Sequence, residues 1–324
     1  MAQCMVKIAT IAHLTLKEMI RQPIFAIILF LAASFIFVSP WFSMFTLLNS
    51  EKLVRDMGFA SILLAGILIA AFCASGLVFR EIENKTAVTI LSKPVCRFEF
   101  IIGKYFGLVA GMGIACLELS IILVLTLRLG VLETARDTVD KPVLYLLCST
   151  AVFSFLWALL MNYFFEKPFT STVVAAFFYM LCTGFVCACF IGGDWRIQPF
   201  GQGMELAIVP GGMLLFCALL IVCAVAVLGS IRLNMIANLV VCLAFFFLSM
   251  TSDYFFGRFS ESHRICRMLY YLIPNLQFFW VSDAYMLGRP VPFEYVMVTA
   301  AYSLVTIGAL LAMSGIIFNE REVA

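Results

Sequence analysis

The sequence predicts an all-α polytopic membrane protein with about eight transmembrane helices, and three observations carry that prediction. Apolar residues make up 64% of the chain and charged residues only 12%, where a soluble domain carries about 25% charged residues. Mean hydropathy is +1.07. The apolar residues also fall into runs of roughly 20, the length needed to cross a hydrocarbon core, and the charges collect in the segments between them.

Residues 1–23 precede the first run and show a helical period. Ile8, Ile11, Ala12, Leu16, Met19 and Ile20 fall on one face, with Lys7, Lys17 and Arg21 opposite. Such an amphipathic helix is expected in the membrane interface, apolar side down and basic side toward anionic headgroups or a docked protein. A plain juxtamembrane anchor is the equal alternative. Gln22-Pro23 then turns the chain into the bilayer.

Eight runs follow, near residues 24–45, 59–79, 105–127, 143–165, 171–191, 206–230, 235–255 and 293–318, and six to eight spans is the range they support. The first is long and lacks a small-residue cleavage site, so it is expected to remain rather than act as a signal. Only Ile231-Arg232-Leu233-Asn234 separates the sixth from the seventh, which predicts a tight helical hairpin. Residues 24–324 thus form the transmembrane domain, with a charged loop at 80–104 and an outer aromatic segment at 256–292.

With eight spans both termini share a side. Lys7, Lys17 and Arg21 before the first run, and Arg80, Lys85, Lys93, Arg97 and Lys104 after the second, place both of those segments on the cytoplasmic side of a plasma (inner) membrane. The late segment carrying Arg258, Arg264, Arg267 and Arg289 weakens that asymmetry over the whole chain. The net charge of +2 says little about partners, and no long basic run suggests nucleic acid.

The densest polar segment reads Arg80-Glu81-Ile82-Glu83-Asn84-Lys85-Thr86, then Leu91-Ser92-Lys93-Pro94, and on to Arg97 and Gly103-Lys104. A bilayer excludes charge, so this segment is expected outside lipid, facing something. Thr86 can cap a short helix whose Ala87, Ile90 and Leu91 share a side. Pro94 breaks that helix and can open the next. Glu81 and Glu83 near its start, with Lys93 and Arg97 beyond its end, match the helix dipole. A short, rigid, charged surface helix suits docking into a groove of a soluble partner; a solvated connection is the plainer reading.

Other chemistry is sparse. Most of the 12 cysteines lie within apolar runs and read as small buried side chains, and with His13 and His263 as the only histidines no metal site is assigned. Glu118 is the one acidic residue well inside an expected span, which predicts that it faces a protomer interface, a polar neighbour such as Asn162, or a cavity. Gly107, Gly111, Gly113 and Ala115 supply a small-residue face on the same helix. Tyr270, Tyr271, Phe278, Phe279 and Trp280 read as an outer element held at headgroup level, either a gate or a plain aromatic anchor.

The pattern Arg80 to Thr86, followed by Leu91-Ser92-Lys93-Pro94-Val95-Cys96-Arg97 and Gly103-Lys104, resembles the signature of ABC type-2 transporter permeases. The amphipathic N-terminus, Tyr271-Leu272-Ile273-Pro274-Asn275 with Phe279 and Asp283, and the closing Phe318-Asn319-Glu320-Arg321-Glu322-Val323 extend the likeness to about half of the chain. The resemblance implies a permease subunit that pairs with another as a homodimer or heterodimer, and that receives force from a separate ABC ATPase subunit. Glu81, Glu83, Lys85, Thr86, Lys93 and Arg97 would form the ATPase-coupling contact, with Lys7, Lys17 and Arg21 as a second surface. No G-x-x-x-x-G-K-[ST] loop occurs in the sequence, so ATP and Mg would sit on the partner, with no cofactor in this chain. The family typically has six spans, so residues 206–255 read as an addition: two inserted spans, or a partly re-entrant stretch.

Two other classes compete. A stand-alone secondary transporter would show repeated halves and charged broken helices; an intramembrane enzyme would need a nucleophile and base, or a metal cluster. The composition hints at a lipid-like or amphiphilic cargo without identifying one.

Overall fold

The computed structural model describes residues 2–42, 50–79, 81, 96–130, 139–258, 264–286 and 291–320. Among these the chain is almost wholly helical, with no β-sheet and one isolated bridge from Ile191 to Ile197. The helices are α1 (Ala2–Arg21), α2 (Pro23–Phe42), α3 (Ser50–Ala74, continued by a π-turn Ser75–Phe79), α4 (Arg97–Leu129), α5 (Lys141–Phe165) and α6 (Phe169–Phe190). There follow α7 (Val209–Ser230), α8 (Met235–Met250), α9 (Arg264–Leu272), α10 (Ser282–Met286) and α11 (Phe293–Glu320).

Among the described residues seven helices are long and apolar enough to cross a membrane, which makes this an integral membrane protein of the expected all-α class. The run expected at 235–255 is the 16-residue α8, about 24 Å long at 1.5 Å per residue, and a π-turn, Asp253–Gly257, carries it further.

Local chemistry sets several helix ends. Asp140 caps α5 by accepting from the Val143 N–H, with Pro142 in the first turn. Asn234 caps α8 by accepting from the Ala237 N–H, while the N–H groups of Arg232 and Leu233 donate to Gly229 O. That closes the predicted tight hairpin between α7 and α8.

The stretch from residue 206, expected as an addition, lies at the centre. Of the apolar window of Leu206–Ser230, 67% is buried, and no residue from Ile221 to Val227 is more than 5% exposed. A helix buried on every side must present small residues for neighbours to approach, and Ala218, Cys223, Ala224 and Ala226 do so against α3, α4, α8 and α11. The peripheral pair is α5 and α6, joined through Glu166–Pro168, packed chiefly on each other, with windows only 28% and 39% buried.

Asn238 of α8 ties the centre together. Fully buried, its amide group donates to Ser75 Oγ (2.9 Å), Ala226 O (3.1 Å) and Ala71 O (3.4 Å), linking α8 to α3 and α7. Gly229 makes room for it, since a Cβ there would lie 2.2 Å from Asn238 Oδ1. In a bilayer such an interhelical polar contact has no competing water.

The N-terminal helix uses its apolar face differently from the expectation. Ile11, Thr15 and Met19 of α1 seat over Gly103, Gly107 and Gly111 of α4, where added Cβ atoms would fall 2.4–2.7 Å from those side chains. The two helices run alongside one another in the same direction, so part of the face read as lipid-directed is spent on protein. Of the small-residue face predicted on α4, Gly107 and Gly111 belong to this groove, Gly103 joins them, and Gly113 looks toward Phe216 instead. Residues of α1 away from the groove, Met5, Val6 and Leu14 among them, stay exposed.

The outer aromatic segment is not confined to headgroup level. The 3₁₀ turn Leu276–Phe279 folds back between α3, α7 and α8, so that Leu276 and Phe279 are 2% and 1% exposed and share a small apolar gap with Leu63 and Val222. Val222 lies 13 residues into α7, about 20 Å along that helix. The segment is re-entrant: Tyr302 receives the Asn275 N–H on its hydroxyl (3.0 Å), and Tyr295 donates to Phe278 O (2.7 Å). Tyr271 and Phe278 remain exposed, as an anchor would be.

Gly107→Leu is expected to lower stability by about 2–3 kcal/mol, within the range for overpacking a tight contact, because α1 must move off α4. Thermal unfolding in detergent measures the loss, and Thr15→Gly in the same background should recover part of it.

Candidate functional site

Of the expected coupling residues, Glu81 and Arg97 are described, and both meet the first three turns of α4, which extends eight residues before the span predicted at 105–127 and so carries Arg97 and Lys104 as helical positions. Lys104 is 5% exposed. Its ammonium donates to Glu81 Oε1 at 2.7 Å and lies 3.7 Å from Glu18 Oε2. One lysine therefore joins α1, α4 and the first acid of the charged segment after α3.

The same turns hold the C-terminal end of α11. Arg97 donates to Phe318 O (3.3 Å) and Asn319 O (3.0 Å), engaging the carbonyls that a helix end leaves unpaired. Its guanidinium lies 6.0 Å from the Phe318 ring. Phe318 stacks on Phe100 at 5.8 Å, and Phe100 in turn faces the Lys104 ammonium at 5.7 Å. A continuous chain of contacts thus runs Glu81, Lys104, Phe100, Phe318, Arg97.

The electrostatics at Glu81 follow from its setting beyond the last turn of the span. Burial pushes its carboxyl above the ordinary range, and the Lys104 charge pulls it part of the way back. A carboxyl raised in the folded state favours folding most when protonated. Its contribution therefore declines as pH rises from its unperturbed value near 4.3 through the raised folded value.

Of the other predicted residues, Lys17 and Arg21 are exposed on α1 and Lys7 is half-buried there, in electrostatic range of Glu99. Glu83, Lys85, Thr86 and Lys93 lie outside the described residues, as do the cap at Thr86 and the break at Pro94. Sequence reasoning passed over Glu18, although its i,i+3 place beside Arg21 on a basic helix marks it as the one acid of that segment.

Glu118 is fully buried in the middle of α4, and neither carboxyl oxygen has a hydrogen-bond partner among the described residues. Asn162 is not its partner: its amide donates to Lys167 O at 2.7 Å, near the C-terminal end of α5. Cys182 of α6 lies within electrostatic range of Glu118. Cys73, Cys116, Cys189, Cys223 and Cys242 are buried as expected, whereas Cys148 and Cys187 face outward. No group of His, Cys, Asp and Glu able to hold a metal occurs among the described residues.

A second polar cluster stands at the opposite end, at the top of α3, and the sequence reading did not anticipate it. Arg55 donates to Glu205 Oε2 at 3.0 Å and lies 5.8 Å from the Tyr285 ring. Tyr285 receives the Gly211 N–H at 2.9 Å, Lys52 lies 3.6 Å from Asp283, and Ser282 donates to Asp56. These contacts clamp α10 and the head of α7 onto α3. Arg128 does the same for the peripheral pair, bonding Asp140 and the carbonyls of Ala188 and Ile191.

No known family model matches the chain, and no curated protein matches it as a relative.

Lys104→Met leaves Glu81 without its ammonium partner, and near pH 7 it is expected to cost about 3 kcal/mol, the loss found when one partner of a buried pair is removed. The loss should shrink as pH falls and Glu81 takes up a proton; circular dichroism melts across pH check the sign, and Glu81→Gln should restore most of the stability. At the other end, Arg55→Leu is expected to loosen α10 and shift Trp280 emission to longer wavelength, read with the other three tryptophans changed to Phe.

Proposed function

We propose that this chain is the membrane-spanning permease subunit of an ABC type-2 transporter, exporting its substrate with ATP hydrolysed on a separate subunit. The observation that carries the reading is Lys104. It ties Glu81, near the start of the charged segment, to α1 through Glu18 and to α11 through Phe100 and Phe318. Force delivered to a cytoplasmic loop at 80–104 would meet a stiff joint at its C-terminal end rather than a slack linker.

In this reading the residues divide their tasks. Glu83, Lys85, Thr86 and Lys93, with Lys7, Lys17 and Arg21, form the surface that meets the ATPase. Glu81 and Arg97 face inward and pass the displacement on, because their charged groups already bond within the subunit. The chain itself is then no enzyme, and ATP and Mg belong to the partner. The π-turn Ser75–Phe79 ends two residues before Glu81, where one extra residue per turn gives α3 a place to change register. The outward apolar faces of α11 and α5, whose windows are only 22% and 28% buried, leave room for a second permease subunit and for lipid. The termini lie on the cytoplasmic side of the plasma (inner) membrane, with α8 and its π-turn making the eighth crossing. In the comparison with a six-span permease, α5 and α6 take the place of the addition, since α7 and α8 build the centre.

Co-purification followed by ATPase assays in liposomes tests the proposal. Glu83→Lys is expected to release the ATPase subunit or cut its stimulation by the permease at least tenfold, whereas Glu81→Gln should retain the ATPase but lower coupled transport. If no ATPase co-purifies with the native chain, a stand-alone carrier becomes the better account.

A further inference from the structure

The seam between α1 and α4 continues past the glycine groove to the start of both helices. Ile11 sits over Gly103, Thr15 over Gly107 and Met19 over Gly111, so the two helices keep one register through three contacts. A Cβ built on Gly103 would lie 2.7 Å from Ile11 Cβ. With carbon–carbon bonds of about 1.5 Å, the two Cα atoms there are within about 6 Å, inside the roughly 7 Å that a disulfide can span. Carried back two turns along both helices, the same register sets Cys4 of α1 opposite Cys96, the N-cap of α4. Neither cysteine lies in the apolar runs that hold most of the others.

Glu99 shows that the seam stays closed to its end. Its carboxylate receives the Cys96 N–H at 3.0 Å and also the Cys4 thiol, and Lys7 of α1 lies in electrostatic range of it. Cys4 and Cys96 are in electrostatic range of one another as well. Two free thiols from helices far apart in sequence thus meet at one carboxylate. Cys96 is exposed and Cys4 half-buried, so a reagent arriving from water reaches Cys96 first. The hydrogen bond to the Glu99 carboxylate holds the Cys4 thiol above its ordinary range, which suits Cys4 to the second, intramolecular step.

We infer that Cys4 and Cys96 form a reversible disulfide clasp that pins α1 to the start of α4. The oxidant is a small-molecule disulfide of the glutathione class. The Cys96 thiolate, its proton lost to water, attacks one sulfur of that disulfide; a mixed disulfide forms and one small thiolate leaves and is protonated. The Cys4 thiolate then attacks the Cys96 sulfur and expels the second small thiolate, which takes up the other proton. Two protein thiols are oxidised and one small disulfide is reduced to two thiols. On the cytoplasmic side, where the reading above puts this end, such bonds are transient and redox-sensing, so the clasp sets the hold of α1 on α4 by the thiol poise of the cell. Its formation depends on the two thiols and not on what drives transport.

The test treats the reduced chain in detergent, with no ATPase present, with glutathione disulfide, then blocks free thiols with N-ethylmaleimide and maps the digest by mass spectrometry. A peptide pair joined through Cys4 and Cys96 is expected, with neither sulfur alkylated, and dithiothreitol should release it. The bond should form at least about tenfold faster than in the chain unfolded in SDS, where only the intervening loop tethers the two thiols. Cys4→Ser and Cys96→Ser should each abolish it, and serine at position 96 keeps an N-cap for α4. Glutathione left on Cys96 while Cys4 is alkylated, a cross-link joining two chains, or equal rates in the native and the unfolded chain would overturn the inference.

Discussion

The close approach of α1 to α4 over Gly103, Gly107 and Gly111 is the contact on which the rest of this architecture depends. Side chains at those positions would hold the two helices apart, and Glu18 would no longer reach Lys104. With the groove in place, one ammonium balances two carboxylates from different elements. That balance makes it tolerable to bury a lysine to 5% exposure near the end of a membrane helix. The same turns of α4 carry Phe100 and Arg97, so the end of α11 is fixed from the same place.

A bilayer interior offers no water to satisfy polar groups, and the way each buried polar side chain is treated separates structure from chemistry. Asn238 spends its amide on three acceptors from α3 and α7. Arg128 and Arg55 each bond an acid and reach further groups, at points where helices must be joined end to end. Those are joints. Glu118 is treated differently, because its carboxyl is as deeply buried as any of these and has no hydrogen-bond partner among the described residues.

The distribution of burial also separates a working centre from its surround. α7 is enclosed on all sides by α3, α4, α8 and α11, and the re-entrant turn at Leu276–Phe279 seals its far half. The pair α5 and α6 leans on this body through Arg128 and through the aromatic contacts of Phe30 with Phe155 and Phe177. The centre is closely packed and the flank loosely enclosed. The flank can shift while α7 stays packed.

Much was legible from residues alone, because hydrocarbon imposes a length and a polarity that any sequence must obey. The apolar runs, the hairpin at residues 231–234, the stacking of charges between the second and third runs and the isolation of Glu118 all follow from that rule. Which run sits at the centre did not, since lipid and a neighbouring helix look equally apolar to a leucine, and hydropathy does not distinguish α7 from α5. For the same reason the apolar face of α1 was assigned to the membrane when part of it belongs to a glycine groove. Aromatic residues of the late segment suit an interface, yet Phe279 is buried because the chain folds back upon α7 and α8. Partners across long separations, Glu81 and Glu18 with Lys104 or Arg97 with the end of α11, exist only once the helices are set side by side. Local sequence determined where the chain crosses and where its charge lies; three-dimensional packing alone decided which charges meet.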